Sequence, residues 1–377
     1  MSRKTNQPCS FSIICINTLE TYLHKFCASL KRVFELPHKY ADRVSKPICI
    51  GDIELPNRAF LAPMSGVTDL PFRKLAHGYG AGLVVSEMVA SQAFIEGEAE
   101  MQLKVLSGDI SPHMVQLAGR EAQWMARAAE VAEASGADII DINMGCPAKR
   151  VTTGYSGSAL MRDLDHALTL IDAVVNAVSV PVTLKMRLGW DDNSLNAPEL
   201  AKRAEDAGVQ MITVHGRTRC QFYKGKANWD AVRKVREQTG LPLVVNGDIQ
   251  NHDTANQALE KSGADAIMCG RGAYGSPWLP AQLAGAITNE DAEKLNSNCD
   301  KVIEHHEDML SFYGIESGIR QARKHLGWYL DNLVLPASTR SLKKTVLTSF
   351  QPSEIHENLK LIYGQHNPIS DEESVAA

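Results

Sequence analysis

The sequence predicts an α/β fold, a (β/α)8 TIM barrel followed by a small C-terminal helical domain. Three observations carry this reading. Eight short apolar runs alternate with Ala-, Glu- and Lys-rich helical segments between Pro47 and Ala286. The runs are near-continuously apolar, as in a parallel sheet buried on both faces. Finally, the chain echoes itself: Gly136-Ala137-Asp138 returns as Gly263-Ala264-Asp265, and Val180-Pro181-Val182 as Leu241-Pro242-Leu243. Eight regular units favour closure into a barrel over the alternative, a doubly wound open sheet.

In chain order, residues 1–46 read as an N-terminal extension. Its longest apolar run, Phe11 to Ile16, is too short to span a membrane and lacks a cleavage pattern after it. The barrel occupies 47–287. Its strands are expected at Ala59 to Ala62, Leu83 to Val85, Met114 to Leu117, Asp138 to Ile142, Val182 to Lys185, Met211 to Val214, Leu243 to Val245 and Ala266 to Cys269. Polar residues 288–300 read as a linker. Over 301–365, Val302, Ile303, Met309, Leu310, Ile319, Leu326, Leu330 and Leu333 recur at helical spacing, and 366–377 read as a disordered tail.

A barrel places its chemistry on the loops leaving the C-terminal ends of its strands. Polar groups cluster there: Pro63-Met64-Ser65, Glu87, Gln116, Asn143 with Cys146, Lys185 with Arg187, His215 with Arg217, Asn246-Gly247-Asp248, and Gly270-Arg271-Gly272. Each alone has a structural explanation, such as a satisfied core amide or a snorkelling lysine. Their recurrence at one end of nearly every strand does not. The stretch Ala137 to Gly157 is the most informative, because a β-branched strand delivers a Gly-Cys-Pro turn that cannot bury a thiol in a sheet. Lys149 and Arg150 follow Cys146, and neighbouring positive charge tunes a cysteine for proton or nucleophile chemistry.

The last two loops suggest a ligand class. Barrels commonly bind phosphate between the loops after strands seven and eight, here Asn246-Gly247-Asp248 and Gly270-Arg271-Gly272. Gly270 to Gly275 also spells G-x-G-x-x-G, but no second strand ending in an acid follows, so a dinucleotide fold is rejected. A cradle for a mononucleotide such as FMN remains, with Lys185 and Gln116 placed to meet the polar edge of its ring.

Composition bounds the partners. The chain has 377 residues, 44% hydrophobic and 22% charged, with a formal net charge of -5. That charge gives no global nucleic-acid signature, so an RNA would have to meet a local basic face. Arg320, Arg323, Lys324, Arg340, Lys343 and Lys344 offer one, suited to phosphate contacts along a nucleic acid. Eight cysteines without a Cys-x-x-Cys pair suit a reducing cytoplasm and argue against structural zinc, an iron–sulfur cluster or any other metal.

These residues carry a resemblance. Ala62-Pro63-Met64-Ser65-Gly66-Val67-Thr68-Asp69, Val115-Gln116-Leu117-Ala118-Gly119, Asp141-Ile142-Asn143-Met144-Gly145-Cys146-Pro147-Ala148-Lys149, Lys185-Met186-Arg187-Leu188-Gly189-Trp190, His215-Gly216-Arg217-Thr218 and Asn246-Gly247-Asp248-Ile249 resemble the tRNA-dihydrouridine synthase family, most closely its bacterial B type. The resemblance covers roughly residues 47–350. It implies an FMN-containing barrel, a C-terminal helical domain that helps hold tRNA, and NADPH-dependent reduction of uridine to 5,6-dihydrouridine. By position the family's motif cysteine is Cys146. Flavin contacts fall on Pro63, Met64, Ser65, Gln116, Lys185, His215, Asn246, Gly247, Asp248, Gly270 and Arg271. Ser65 stands where many relatives have Ala.

The chemistry suits the residues. Saturating the C5–C6 bond needs a hydride at C6 and a proton at C5, and a positioned acid supplies the second. Cys146 is expected to be that acid, since an ordinary thiol stays mostly protonated at neutral pH. Asn143, Lys149, Arg187 and Arg217 are expected to line a cleft open to the extruded base, with Arg320, Arg323 and Lys324 holding tRNA. Three alternatives stand beside this reading. A dihydroorotate-dehydrogenase-like enzyme would share the FMN barrel and use the thiol as base; a Schiff-base aldolase would use Lys185 without flavin; a non-catalytic tRNA-binding module would need neither Cys146 nor the phosphate loops.

Overall fold

The structure, a computed structural model, describes residues 41–366. The expectations for residues 1–40 and 367–377, most of the N-terminal extension and nearly all of the tail, lie outside the described residues. All eight predicted strand positions are strands: β3 (Ala59–Leu61), β4 (Leu83–Val84) continued by β5 (Val89–Ala90), β6 (Met114–Ala118), β7 (Ile139–Met144), β8 (Val182–Arg187), β9 (Met211–His215), β10 (Leu243–Asn246) and β11 (Ala266–Cys269). Their parallel sheet runs β4-β3-β11-β10-β9-β8-β7-β6-β5. The second crossing, residues 83–90, is split between its two ends. Val85 bridges Met114, and Ser86 N–H donates to Met114 O at 3.1 Å, so this one passage meets β3 on one side and β6 on the other and closes the barrel.

Strand alternation explains where the polar groups go. Along β7, Ile140, Ile142 and Met144 pack outward against the helices, while Ile139 lies in the inner core. Asp141 and Asn143 share the face of Ile139. The same change from apolar to polar occurs along Met211-Thr213-His215 and Val244-Asn246, so the barrel is greasy at its N-terminal end and polar at its C-terminal mouth. The strands also run further than expected. Asn143 and Arg187 stand within strands, in register with Lys185 and His215, not on loops.

An antiparallel hairpin, β1 (Ile48–Ile50) with β2 (Ile53–Leu55), adds Ile48, Ile50 and Leu55 to the inner core and plugs the N-terminal end. The sequence reading missed it because each strand is only three residues. The expected linker 288–300 is also corrected. It holds a helix, Asn289–Asn296, started by a reciprocal capping box between Thr288 and Asp291; its polarity reflects exposure, with only Ala292 buried.

Helices Cys299–Tyr313, Ile315–Asp331, Arg340–Thr348 and Pro352–Tyr363 then pack round Val302, Ile303, Ile319, Leu326, Leu330 and Ile355. This bundle docks on the barrel by specific contacts. Tyr313 donates to Asp69 Oδ2 at 3.1 Å, Trp328 stacks on Tyr274 with ring centroids 3.8 Å apart, and Phe72 meets the rings of His305 and His325. Among the described residues no helix is long and apolar enough to cross a membrane.

Candidate active site

A cavity of about 580 Å³ opens at the C-terminal mouth of the barrel. All eleven residues expected to bind a cofactor line it: Pro63, Met64, Ser65, Gln116, Lys185, His215, Asn246, Gly247, Asp248, Gly270 and Arg271. Cys146, Asn143 and Arg187 line it too.

Beneath the cavity runs a buried relay. Thr183 Oγ1 and Gln116 Nε2 both donate to the Asp141 carboxylate at 2.6 Å. Asn143 Nδ2 donates to Gln116 Oε1 at 2.7 Å, and Asn143 Oδ1 accepts the N–H groups of Gly145 (3.1 Å) and Cys146 (3.0 Å). Every partner in this chain is directional, so Gln116 has one amide orientation and Asn143 another, and the turn carrying Cys146 is fixed from below. Asp141 was overlooked as a site residue. An acid inside an otherwise apolar strand was the available signal. Its burial raises its pKa, opposed by the bonds from Gln116 and Thr183 and by nearby Lys185.

The thiol of Cys146 is pushed up from the ordinary cysteine value, mainly by burial, which outweighs the backbone of Ala148 and the cations Arg187, Arg150 and Lys185. It is therefore a protonated group at neutral pH. Lys185 is pulled down to about 8 by burial, and its Nζ donates to Asn246 Oδ1 at 3.1 Å. Desolvation, with Arg187, Lys185, Arg217 and Arg271 around it, holds His215 neutral, well below the usual imidazole range.

Both glycine loops reach the cavity. Gly247 has φ +116°, and a Cβ there would fall 2.9 Å from both Ala227 Cβ and His215 Cδ2. A Cβ on Gly270 would sit at ordinary van der Waals distance, 3.9 Å, from Asn246 Nδ2 and Met64 Sδ, so this loop reaches the cavity without crowding its neighbours. Asp248 locks the first loop by accepting from Ala227 N–H (2.7 Å) and from Arg217 Nη2 on both oxygens (2.9 and 2.7 Å).

Other cations have different tasks from those expected. Arg217 is buried under the loop that follows it, donating to Lys224 O (3.1 Å) and Gly225 O (2.7 Å), and does not line the cavity. Arg187 lines it, but its guanidinium ties Gly145 O (2.8 Å) to Thr218 O (2.9 Å) and Phe222 O (2.8 Å). Tight loops leave carbonyls without backbone partners, and a planar five-donor fork suits them. Lys149 is exposed on the short helix Lys149–Thr153 and does not line the cavity, whereas its neighbour Arg150 does.

On helix Ile315–Asp331, Arg320 pairs with Glu316 at the surface. Arg323 donates to Thr348 O at 3.1 Å and stacks on Phe350, which makes it a brace between helices. Lys324 leans toward Gly66, Asp69 and Glu87, with its pKa lowered by burial. Sequence reasoning also missed Phe222, Tyr223 and Tyr274 on the cavity wall, aromatics in loops with no periodicity to flag them.

Comparison with known proteins agrees with this geometry. The pattern of the family described as Dihydrouridine synthase (Dus) matches residues 60–366. A probable tRNA-dihydrouridine synthase of Rhizobium leguminosarum bv. phaseoli is 57% identical over 303 residues, 80% of this chain and 94% of that protein. tRNA-dihydrouridine synthase B of Pseudomonas aeruginosa is 44% identical over 288 residues, 75% of this chain and 87% of that one. Among solved structures, the old yellow enzyme from Trypanosoma cruzi superposes with a TM-score of 0.50 at 13% identity, over 66% of this chain and 93% of that one. Histamine dehydrogenase from Rhizobium sp. 4-9 gives 0.51 at 15%, over 71% of this chain but only 51% of its own length. These two likenesses show the barrel fold.

Proposed function

The chain belongs to the dihydrouridine synthase family, and on that premise we propose that it is a tRNA-dihydrouridine synthase, reducing the C5–C6 bond of specific uridines in tRNA. The cofactor in this reading is FMN, with NADPH as reductant and the cytoplasm as its setting. The site suits FMN: Gly270 and the locked Asn246-Gly247-Asp248 loop line one cavity at the place where barrels commonly hold a phosphate, and Lys185 and Gln116 lie on its wall. Bound flavin would supply the hydride to C6.

The chain's own residues supply the rest. Lys185, held by Asn246, keeps a positive charge on the cavity wall below about pH 8. Asn143 and the relay behind it fix the Cys146 turn. Cys146 then donates its proton to C5 of the uracil, the thiol being kept protonated by burial. The exposed aromatics Phe222 and Tyr223 at the mouth suit a substrate base extruded from folded RNA.

The observation that carries the reading is the Cys146 turn, held by Asn143, on the wall of the cavity that Lys185, Gln116 and both glycine loops share. Mapping dihydrouridine in tRNA from a strain lacking this gene, with and without the gene restored, tests it. Loss and return of dihydrouridine at the same positions is expected; an unchanged map would contradict it.

A further inference from the structure

The cations on the barrel side of the cavity are arranged differently from those on the helical domain. Arg320 and Lys343 are each engaged by an acid, Glu316 and Asp331, and Arg323 by backbone carbonyls. Lys149, Arg150, Arg162, Lys224 and Lys226 make no ion pair among the described residues. Arg162 belongs to a continuous ladder of guanidinium and aromatic groups, and Lys224 and Lys226 lie close to it in sequence. From the cavity outward, Arg271 lies 4.8 Å over the Tyr223 ring, Tyr223 meets Phe222 edge-on at 5.6 Å, and Arg219 lies 5.7 Å over Phe222. Arg219 and Arg162 then both cover the Trp190 ring, at 4.8 and 5.0 Å. The acid beside it, Asp191, is turned into its own loop, accepting from Asn193 N–H and Ser194 Oγ.

Two features exceed what a loop brace needs. Phe222 stands at φ +57°, where a bulky side chain is strained, and its carbonyl is held there by Arg187; the result is an aromatic ring left 37% exposed at the cavity mouth. Arg162 is exposed and holds its guanidinium against Trp190 with no acid to satisfy it. A flat cation on an aromatic support, next to an exposed ring, suits single-stranded nucleic acid, whose phosphates need charge and whose bases need a stacking face.

We propose that this ladder is the seat for the RNA strand beside the target uridine, with Arg162 and Arg219 on its phosphates and Phe222 stacked on a flanking base. The inference rests on the tRNA reading above and places the RNA contact nearest the cavity on the barrel as well as on the helical domain.

Binding of an unmodified tRNA transcript to the full-length protein, measured over a range of salt concentrations, tests it. The Arg162→Gln/Arg219→Gln variant should bind on the order of 10-fold more weakly, with the slope of log affinity against log salt reduced by about 1.4, two single-strand phosphates. Phe222→Asn, a residue that tolerates the left-handed backbone, should also weaken binding by on the order of 10-fold, but with the slope unchanged. Wild-type affinity and slope in both variants would overturn the seat and leave the ladder a loop brace. A wild-type protein that binds no transcript at any salt would overturn the tRNA reading itself, and the seat with it.

Discussion

Asn143 holds Cys146 in place: its side-chain oxygen accepts the Cys146 N–H at 3.0 Å while its amide nitrogen is committed to Gln116 at 2.7 Å. One carboxamide thus joins the rigid barrel wall to the turn that carries the thiol. Asn143→Ala should free that turn and lower uridine reduction on the order of 10²-fold, since a small misplacement of a reacting group is costly. Steady-state turnover with tRNA measures it; Asn143→Asp should fare little better, because a carboxylate cannot donate to Gln116 Oε1.

Lys185 gives the site a pH dependence of its own. Its pKa is lowered to about 8, so it is charged below that pH and progressively neutral above it. If that charge holds the cofactor, FMN affinity should fall as pH rises through about 8. Fluorescence titration of the flavin-free protein checks this, and Lys185→Met should show weak binding with no such dependence.

Arg323 and Arg320 should separate. Arg323→Ala removes donors to Thr348 O and Ser349 O and the stack on Phe350, and should destabilise the helical domain by about 1–2 kcal/mol. Arg320→Ala, at an exposed pair, should leave the melting temperature unchanged and cost tRNA affinity at most one phosphate contact. Thermal melts beside salt-dependent tRNA binding distinguish the two.

The helical domain should be acid-labile. Burial lowers His305 to about 3 and His306 to about 4, and His325 well below the usual value. Folded-state values below the unfolded one mean that the unfolded chain binds more protons, so stability is full above about pH 6.5 and falls as pH drops from there toward 4. Denaturant unfolding at several pH values should show this loss, and His305→Gln should reduce it. A stability flat between pH 7 and 4.5 would contradict it.

The barrel was legible because parallel strands buried on both faces write themselves as apolar runs, and all eight positions emerged from that pattern. The cavity lining was legible for a related reason, since the barrel sends one end of every strand to the same mouth. The hairpin at Ile48–Leu55 was not, because three-residue strands leave no periodic signal. Neither was the helix Asn289–Asn296, whose single buried residue gives it the composition of a linker. Charge shows only part of a residue's task. Arg217 and Arg323 read as substrate contacts in the sequence, and in the fold both also serve loop or helix-end carbonyls, a demand that exists only once the chain is folded.

The central claim is that Cys146 delivers the proton to uridine C5. Cys146→Ala should still bind FMN and allow NADPH to reduce it, because neither event needs that proton. Single-turnover reoxidation of the reduced flavin by tRNA isolates the step, and should slow on the order of 10²- to 10⁴-fold, with Cys146→Ser rescuing poorly. Reoxidation of the Ala variant at the wild-type rate would contradict the account.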